Sequence, residues 1–228
     1  MQQSVRKYQN TALVLAGGGS STRFGHGNKL LQDLGGMPLF LHAISAAAPV
    51  LGNQNIYMAV PESEKMLFKD LQLKYLPGVN VQLVTGGKSR AESVYRALTA
   101  IQDPAITIAA VQDAARPFLS SALLQNCIDA CQQYGGAVAC HKICDTVKKS
   151  ASDGMVACTV PRDDLWAAET PQVFYLKDLV EAYEQALRSA ENFTDEAQVM
   201  ERFSKIRCKI VENKAFNGKI TYYEDLLQ

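Results

Sequence analysis

The sequence predicts an α/β fold: a three-layer, mainly parallel sheet with helices on both faces and one projecting β-arm. Three observations predict it. Short apolar runs alternate with amphipathic stretches, the β-α-β rhythm of parallel sheets. A glycine-rich loop, Ala16 to Phe24, leaves the first apolar run, and the polar turn Gln112 to Pro117 leaves the fourth. One stretch, Asp145 to Trp166, breaks the rhythm.

The first strand is expected over Thr11 to Leu15, a continuous apolar run that ends at glycine. Helical spacing follows over Leu39 to Val50, with a strand over Asn55 to Val60 and a helix over Ser63 to Leu73. The pattern repeats with a strand at Val79 to Val84, a helix at Ala91 to Ile101, a strand at Ile106 to Val111 and a helix at Ser120 to Tyr134. A strand is expected at Ala137 to Ile143. Between Asp145 and Trp166 come a basic pair, turn material at Ser150 to Gly154, the β-prone run Met155 to Val160 and then Pro161, which together read as a hairpin arm. Helices at Leu176 to Ala190 and Asp195 to Phe203 and a strand at Cys208 to Val211 complete the reading.

The 228 residues, 47% hydrophobic, suffice for one well-buried domain over 1–228, with the arm at 145–166. Lysine plus arginine equals aspartate plus glutamate, so no global field gathers nucleic acid or an anionic membrane, and a charged ligand must be recognised locally. No apolar run approaches a membrane span. The six cysteines form no C-x-x-C pair and the three histidines are scattered, which argues against structural zinc and for reduced thiols in the cytoplasm.

Function is concentrated where loops leave the strands, because parallel sheets bind ligands beyond the carboxyl ends of their strands. Glycines in Ala16-Gly17-Gly18-Gly19-Ser20-Ser21-Thr22-Arg23 allow successive amides to face one anion, and Arg23 and Lys29 add charge. The expected ligand is a polyphosphate. A P-loop is excluded because Lys29 follows Asn28 and precedes Leu30; a dinucleotide fingerprint is excluded because the sixth position from Gly17 is Thr22 and no helix opens there. Asp113 ends an apolar strand, where a carboxylate suits Mg²⁺ held jointly with substrate phosphates. Arg116, three residues on, can pair with Asp113 or clamp a phosphate. Gly86-Gly87-Lys88-Ser89-Arg90-Ala91-Glu92-Ser93 is a second glycine turn opening a helix, read both as a nucleoside platform and as a Ser89/Glu92 capping box. Lys219 comes late, after the last strand. Each cation taken singly reads as a solvated surface residue; their placement beside the loop sets them apart.

The order strand, glycine-rich loop, Arg, Lys, then G-x-P-L and a helix resembles the start of sugar-nucleotide transferases, whose Rossmann-like fold is implied here. The ordered set Asp113-Ala-Ala-Arg116-Pro117, Asp145-Thr146, Arg162-x-x-Leu165-Trp166, Thr170-Pro171-Gln172-x-Phe174, Thr194-Asp195-Glu196-Ala197 and Lys219-Ile-Thr221 closely resembles the 2-C-methyl-D-erythritol 4-phosphate cytidylyltransferase family, from about Thr11 to Leu226. The resemblance implies transfer of CMP from CTP to methylerythritol phosphate with Mg²⁺ and release of pyrophosphate. It implies Arg23, Lys29 and Lys219 as catalytic cations and Asp113, Arg116, Thr146, Arg162, Thr170 and Thr194 as acceptor contacts, with Asp113 also at the metal. Ala16, Gly17, Gly18, Gly19, Gly87 and Ser93 become nucleotide contacts, and a homodimer is implied in which the arm brings Thr146 and Arg162 to the neighbour's site. The chain departs from the family pattern at Ser21, Asn28 and Lys88 and in a shortened Arg23 to Lys29 interval. A polyol phosphate cytidylyltransferase is the nearest alternative; a guanylyltransferase and a non-catalytic nucleotide-binding module are more distant ones.

Overall fold

The structure is a computed structural model that describes residues 7–17, 24–25, 27–189 and 191–227. Gly18, Gly19 and Arg23, three of the expected site residues, lie outside the described residues.

A seven-stranded sheet organises the chain. Its strands are β1 (Thr11–Ala16), β4 (Ile56–Val60), β5 (Val81–Thr85), β6 (Ile108–Asp113), β7 (Gly136–Lys142), β10 (Trp166–Tyr175) and β11 (Lys209–Glu212), in the spatial order β11-β7-β10-β6-β1-β4-β5. β10 runs antiparallel to both its neighbours, β6 and β7, while β1, β4, β5 and β6 pair in parallel, as do β7 and β11. Two small hairpins complete the strands: β2 (Asp33–Leu34) with β3 (Met37–Pro38), and β8 (Val147–Ser150) with β9 (Val156–Val160). The helices are α1 (Leu39–Leu51), α2 (Lys65–Tyr75), α3 (Arg90–Thr99), α4 (Ser121–Tyr134), α5 (Leu176–Arg188) and α6 (Glu196–Phe203).

Alternation along the strands sorts side chains into two cores, because successive residues point to opposite faces. On β1, Leu13 and Leu15 join a cluster with Phe40 and Ile44 of α1, Phe68 of α2 and Leu124 and Ile128 of α4. Ala12 and Val14 point the other way, into a cluster with Val94 of α3, Leu179 and Tyr183 of α5 and Val199 of α6. β1, β4 and β6 are buried on both faces, which is why they read as unbroken apolar runs.

β10 has no counterpart in the reading from sequence. It is buried without alternation from Glu169 to Phe174 and carries Pro171 at its centre, where proline cannot donate to a sheet ladder. The structure accommodates it at a register shift against β7, between Ala168 and Gln172, where the Thr170–Pro171 peptide is cis. The short strands β2 and β3 and the 3-10 turns Lys29–Leu31, Glu62–Glu64 and Tyr223–Leu226 were likewise not expected; the remaining strands and helices lie close to their expected spans. The arm is the expected hairpin, paired within itself and with no sheet partner among the described residues.

Phe40 is fully buried and meets Phe68 edge to face, with ring centroids 4.8 Å apart. Phe40→Ala should lower unfolding free energy by about 3–5 kcal/mol in urea denaturation, through lost transfer energy and the cavity left behind.

Candidate active site

Asp113, the last residue of β6, lies opposite Ala16, the last residue of β1, so both strands deliver their loops to one edge. Its backbone N–H donates to the Thr170 hydroxyl at 3.0 Å, which ties β10 to this edge. Three cations converge on its carboxylate. Arg90, the first residue of α3, donates to one oxygen through Nε and an Nη, each at 3.2 Å. The Lys219 ammonium donates to the other at 2.6 Å, and Arg116 Nε lies 3.8 Å from that same oxygen. Burial alone would raise the Asp113 pKa; Arg90, Lys219 and Arg116 outweigh it and hold the group at about 2.

Arg90 is shared. Its guanidinium also meets Glu196, the first residue of α6, with one Nη on each carboxylate oxygen, at 2.7 and 3.1 Å. Glu196 is fully buried and accepts the Tyr183 hydroxyl at 2.9 Å. Burial would lower the Arg90 pKa, but Glu196 and Asp113 drive it upward, so the guanidinium stays charged.

The C-terminal segment closes this edge. Arg116 donates to the Asn217 carbonyl at 2.7 Å, and the Asn217 side chain donates to the Thr170 carbonyl and to Glu169, each at 2.9 Å. Lys29 donates to the Ile220 carbonyl at 2.9 Å, immediately after Lys219. Lys29 and Lys219 are thus brought to the Asp113–Arg116 turn from opposite ends of the chain. Lys29 opens a short 3-10 turn capped by Asn28, whose side chain accepts the Leu30 N–H at 3.0 Å.

Gly17 is required by close packing: a Cβ there would sit 2.7 Å from Met58 and 2.8 Å from the Ala59 carbonyl. At the second glycine turn the Ser93 hydroxyl accepts the Gly87 N–H at 3.0 Å and donates to the Ser89 carbonyl at 2.8 Å, so it holds the turn from within. The capping box is only half formed. Ser89 accepts the Glu92 N–H, but the Glu92 carboxylate takes the Lys88 N–H at 2.7 Å in place of the Ser89 N–H.

Thr146 and Arg162 sit on the exposed base of the arm, where Arg162 donates to the Cys144 carbonyl. Thr194 is exposed before α6 and donates to Gln198, and Ala16 ends β1 half-buried. Asp113, expected at Mg²⁺, has both oxygens engaged by cations, and among the described residues no group of three or more carboxylate, histidine or cysteine side chains is arranged to hold a metal.

Arg90 and Glu196 were not singled out from sequence, nor was the knot at Glu169, which binds His141 at 2.7 Å and Asn213 and Asn217 at 2.9 Å each. A signal existed for Arg90: a cation at a helix N-terminus opposes the helix dipole and calls for a carboxylate partner. Arg116, Glu169, His141, Asn217 and Lys219 line a cavity of about 790 Å³ beside Asp113.

Residues 11–228 match the family model of 2-C-methyl-D-erythritol 4-phosphate cytidylyltransferase. The chain belongs to this family. A curated relative of that name from Bacillus mycoides is 35% identical over 216 residues, 94% of either chain. Another, from Shouchella clausii, is 37% identical over 216 residues, covering 95% of this chain and 93% of the relative. Among solved structures, the 4-diphosphocytidyl-2C-methyl-D-erythritol synthase of Anaerococcus prevotii superposes with a TM-score of 0.81 at 28% identity, covering 95% of this chain and 92% of that one. The cytidylyltransferase of Thermus thermophilus gives 0.78 at 26% identity, covering 95% of each. The family's Rossmann-like α/β architecture is therefore the architecture of this chain.

The depressed Asp113 pKa sets a sign for acid stability. Its ion pairs contribute fully above the unfolded-state value of about 4 and are lost as pH falls through about 2. Asp113→Asn should flatten that loss in urea titrations at pH 2 to 5. At pH 7 it should cost on the order of 3 kcal/mol, because the surrounding cations lose their anion.

Proposed function

We propose that the edge bearing Lys29, Asp113, Arg116 and Lys219 transfers CMP from CTP to 2-C-methyl-D-erythritol 4-phosphate and releases pyrophosphate, a step in the non-mevalonate route to isoprenoid precursors. The observation that carries the proposal is the gathering of these cations at the carboxyl edge of β1 and β6, in a chain that matches the cytidylyltransferase family over 11–228.

The chemistry is an in-line displacement. An oxygen of the acceptor phosphate forms a bond to the α-phosphorus while the bond from that phosphorus to the bridging oxygen of pyrophosphate breaks. Such reactions depend on positioning and charge stabilisation more than on covalent help from the protein. Arg23 and Lys29 are assigned to the triphosphate, Lys219 to the charge that grows at the reacting phosphate, and Arg116 to the acceptor phosphate. Asp113 keeps Lys219 and Arg116 facing the cleft. Thr170 and Thr194 are assigned to the acceptor, while Ala16, Gly17, Gly18, Gly19, Gly87 and Ser93 shape the nucleotide side. Mg²⁺ belongs to the proposal as the counter-ion that arrives with CTP and neutralises its phosphates. Asp113, at the end of β6, would help to hold it jointly with the substrate phosphates.

We also propose a homodimer built through the arm. An isolated two-stranded hairpin is marginal in water, and this one exposes Met155 (68%) and Val156 (65%) at its tip. A second copy would cover them and receive Thr146 and Arg162. The six free cysteines favour a reducing compartment, so the cytoplasm is the proposed location; no described helix is long and apolar enough to cross a membrane.

Purified protein with CTP and Mg²⁺ should release pyrophosphate with methylerythritol phosphate and not with ribitol phosphate or without acceptor. Release with ribitol phosphate alone would move the chain to the polyol branch. Lys29→Ala should lower turnover a hundredfold or more, about 2.7–4 kcal/mol, if it acts as an oxyanion-type donor. Mixing inactive Arg23→Ala with inactive Arg162→Ala subunits should restore activity when sites are shared; its absence under verified subunit exchange would reject the shared site.

A further inference from the structure

Arg90 occupies a position that the reaction outlined above does not use. It stands between two buried carboxylates on different elements, Asp113 at the end of β6 and Glu196 at the start of α6, and donates to both. Glu196 is in turn fixed by Tyr183 of α5. Beyond Asp113 the chain of contacts continues to Lys219, a proposed catalytic cation. We propose that Arg90 is a positioning residue for the transfer reaction: anchored by Glu196, it fixes the Asp113 carboxylate and thereby the direction of the Lys219 ammonium. The inference rests on the proposed function and adds to it a residue that acts through another.

The geometry supports positioning over simple charge balance. Arg90 takes Glu196 with two Nη atoms and Asp113 with Nε and one Nη, so the planar fork spans both carboxylates at once. Rotation of Asp113 would break at least one of these bonds. With one oxygen committed to Arg90, the other is left for Lys219 at 2.6 Å. A lysine at position 90 would keep the charge but could not reproduce the fork. Loss of the fork should therefore change how well Lys219 is aimed while leaving the Lys29 contact with Ile220 in place.

The test compares Arg90→Gln, Arg90→Lys and Glu196→Gln with the wild type, each with its fold checked by circular dichroism. Pyrophosphate release should show kcat lowered at least about tenfold in Arg90→Gln, the scale of a lost charged hydrogen bond, with KM for CTP essentially unchanged. Arg90→Lys should recover part of the loss. Unchanged kcat in a folded Arg90→Gln protein overturns the proposal, as does a fall in kcat that is matched by a general rise in KM for CTP. A second readout needs no turnover: ¹⁵N spectra of the Lys219 ammonium, slowed in exchange while it is held by Asp113, should lose that signal in Arg90→Gln and keep it in Arg90→Lys. Retention of the signal in Arg90→Gln overturns the proposal even if wild-type assays reject methylerythritol phosphate as acceptor, so the two failures are separable. Should Arg90→Gln not fold, Glu196→Gln decides: a lost ammonium signal and lowered kcat support the proposal, and neither change overturns it.

Discussion

A single buried carboxylate sets the arrangement of the site. Asp113 lies almost out of water, and burial of an unpaired carboxylate would force it to take up a proton. It stays ionised because cations are delivered to it from α3 (Arg90), from the C-terminal segment (Lys219) and from the turn that directly follows β6 (Arg116). The dependence is mutual. The cations are close to one another, and without the anion between them they would repel and turn outward. The position of Asp113 therefore controls where positive charge faces the cleft.

That position depends on the sheet. β10 enters between β6 and β7 in the opposite direction to both, and it places the Thr170 hydroxyl against the Asp113 N–H. The ladder is interrupted there by Pro171, so side chains take over its role. Gln172 donates to Asp195 and to the Glu169 carbonyl and accepts the Ala197 N–H, while Asn217 donates to the Thr170 carbonyl. In this way the irregular point of the sheet is hydrogen-bonded to α6 and to the C-terminal segment, the two elements that carry Glu196 and Lys219. The register shift is thus the junction where the sheet meets the charged cluster.

What the sequence disclosed follows from the range of the physics involved. Local periodicity located β1, β4 and β6 because they are buried on both faces, and it located the helices because each presents an apolar stripe. It passed over β10, where Pro171 argues against a central strand and the neighbouring polar groups are met by the Gln172 and Asn217 side chains. Asp113, Arg116, Lys29 and Lys219, singled out from their motifs, meet at one edge of the sheet. Arg90 and Glu196 stood inside the motif strings but received no role, because a buried ion pair between residues 90 and 196 leaves no local pattern beyond one cation placed against a helix dipole. The capping-box reading erred for a related reason: Glu92 could reach either of two neighbouring N–H groups, and only the backbone turn at Gly87 decides for Lys88.

The charge distribution connects this architecture to the ligand. Across the whole chain positive and negative charges balance, so long-range attraction of a polyanion has no source. At the cleft the charges are ordered: Arg90, Arg116 and Lys219 face Asp113 and Glu196, and Lys29 meets the same C-terminal segment at Ile220. The two carboxylates are the more deeply buried members, whereas Lys219 is about one-third exposed. Negative charge is thus placed behind, where it fixes the cations, and positive charge in front, where solvent and ligand reach it. A site made only of cations would repel itself until a polyanion arrived. Here the carboxylates hold the cations in place beforehand, so on the proposed function little of the binding energy of an incoming phosphate would be lost to assembling the groups assigned to it.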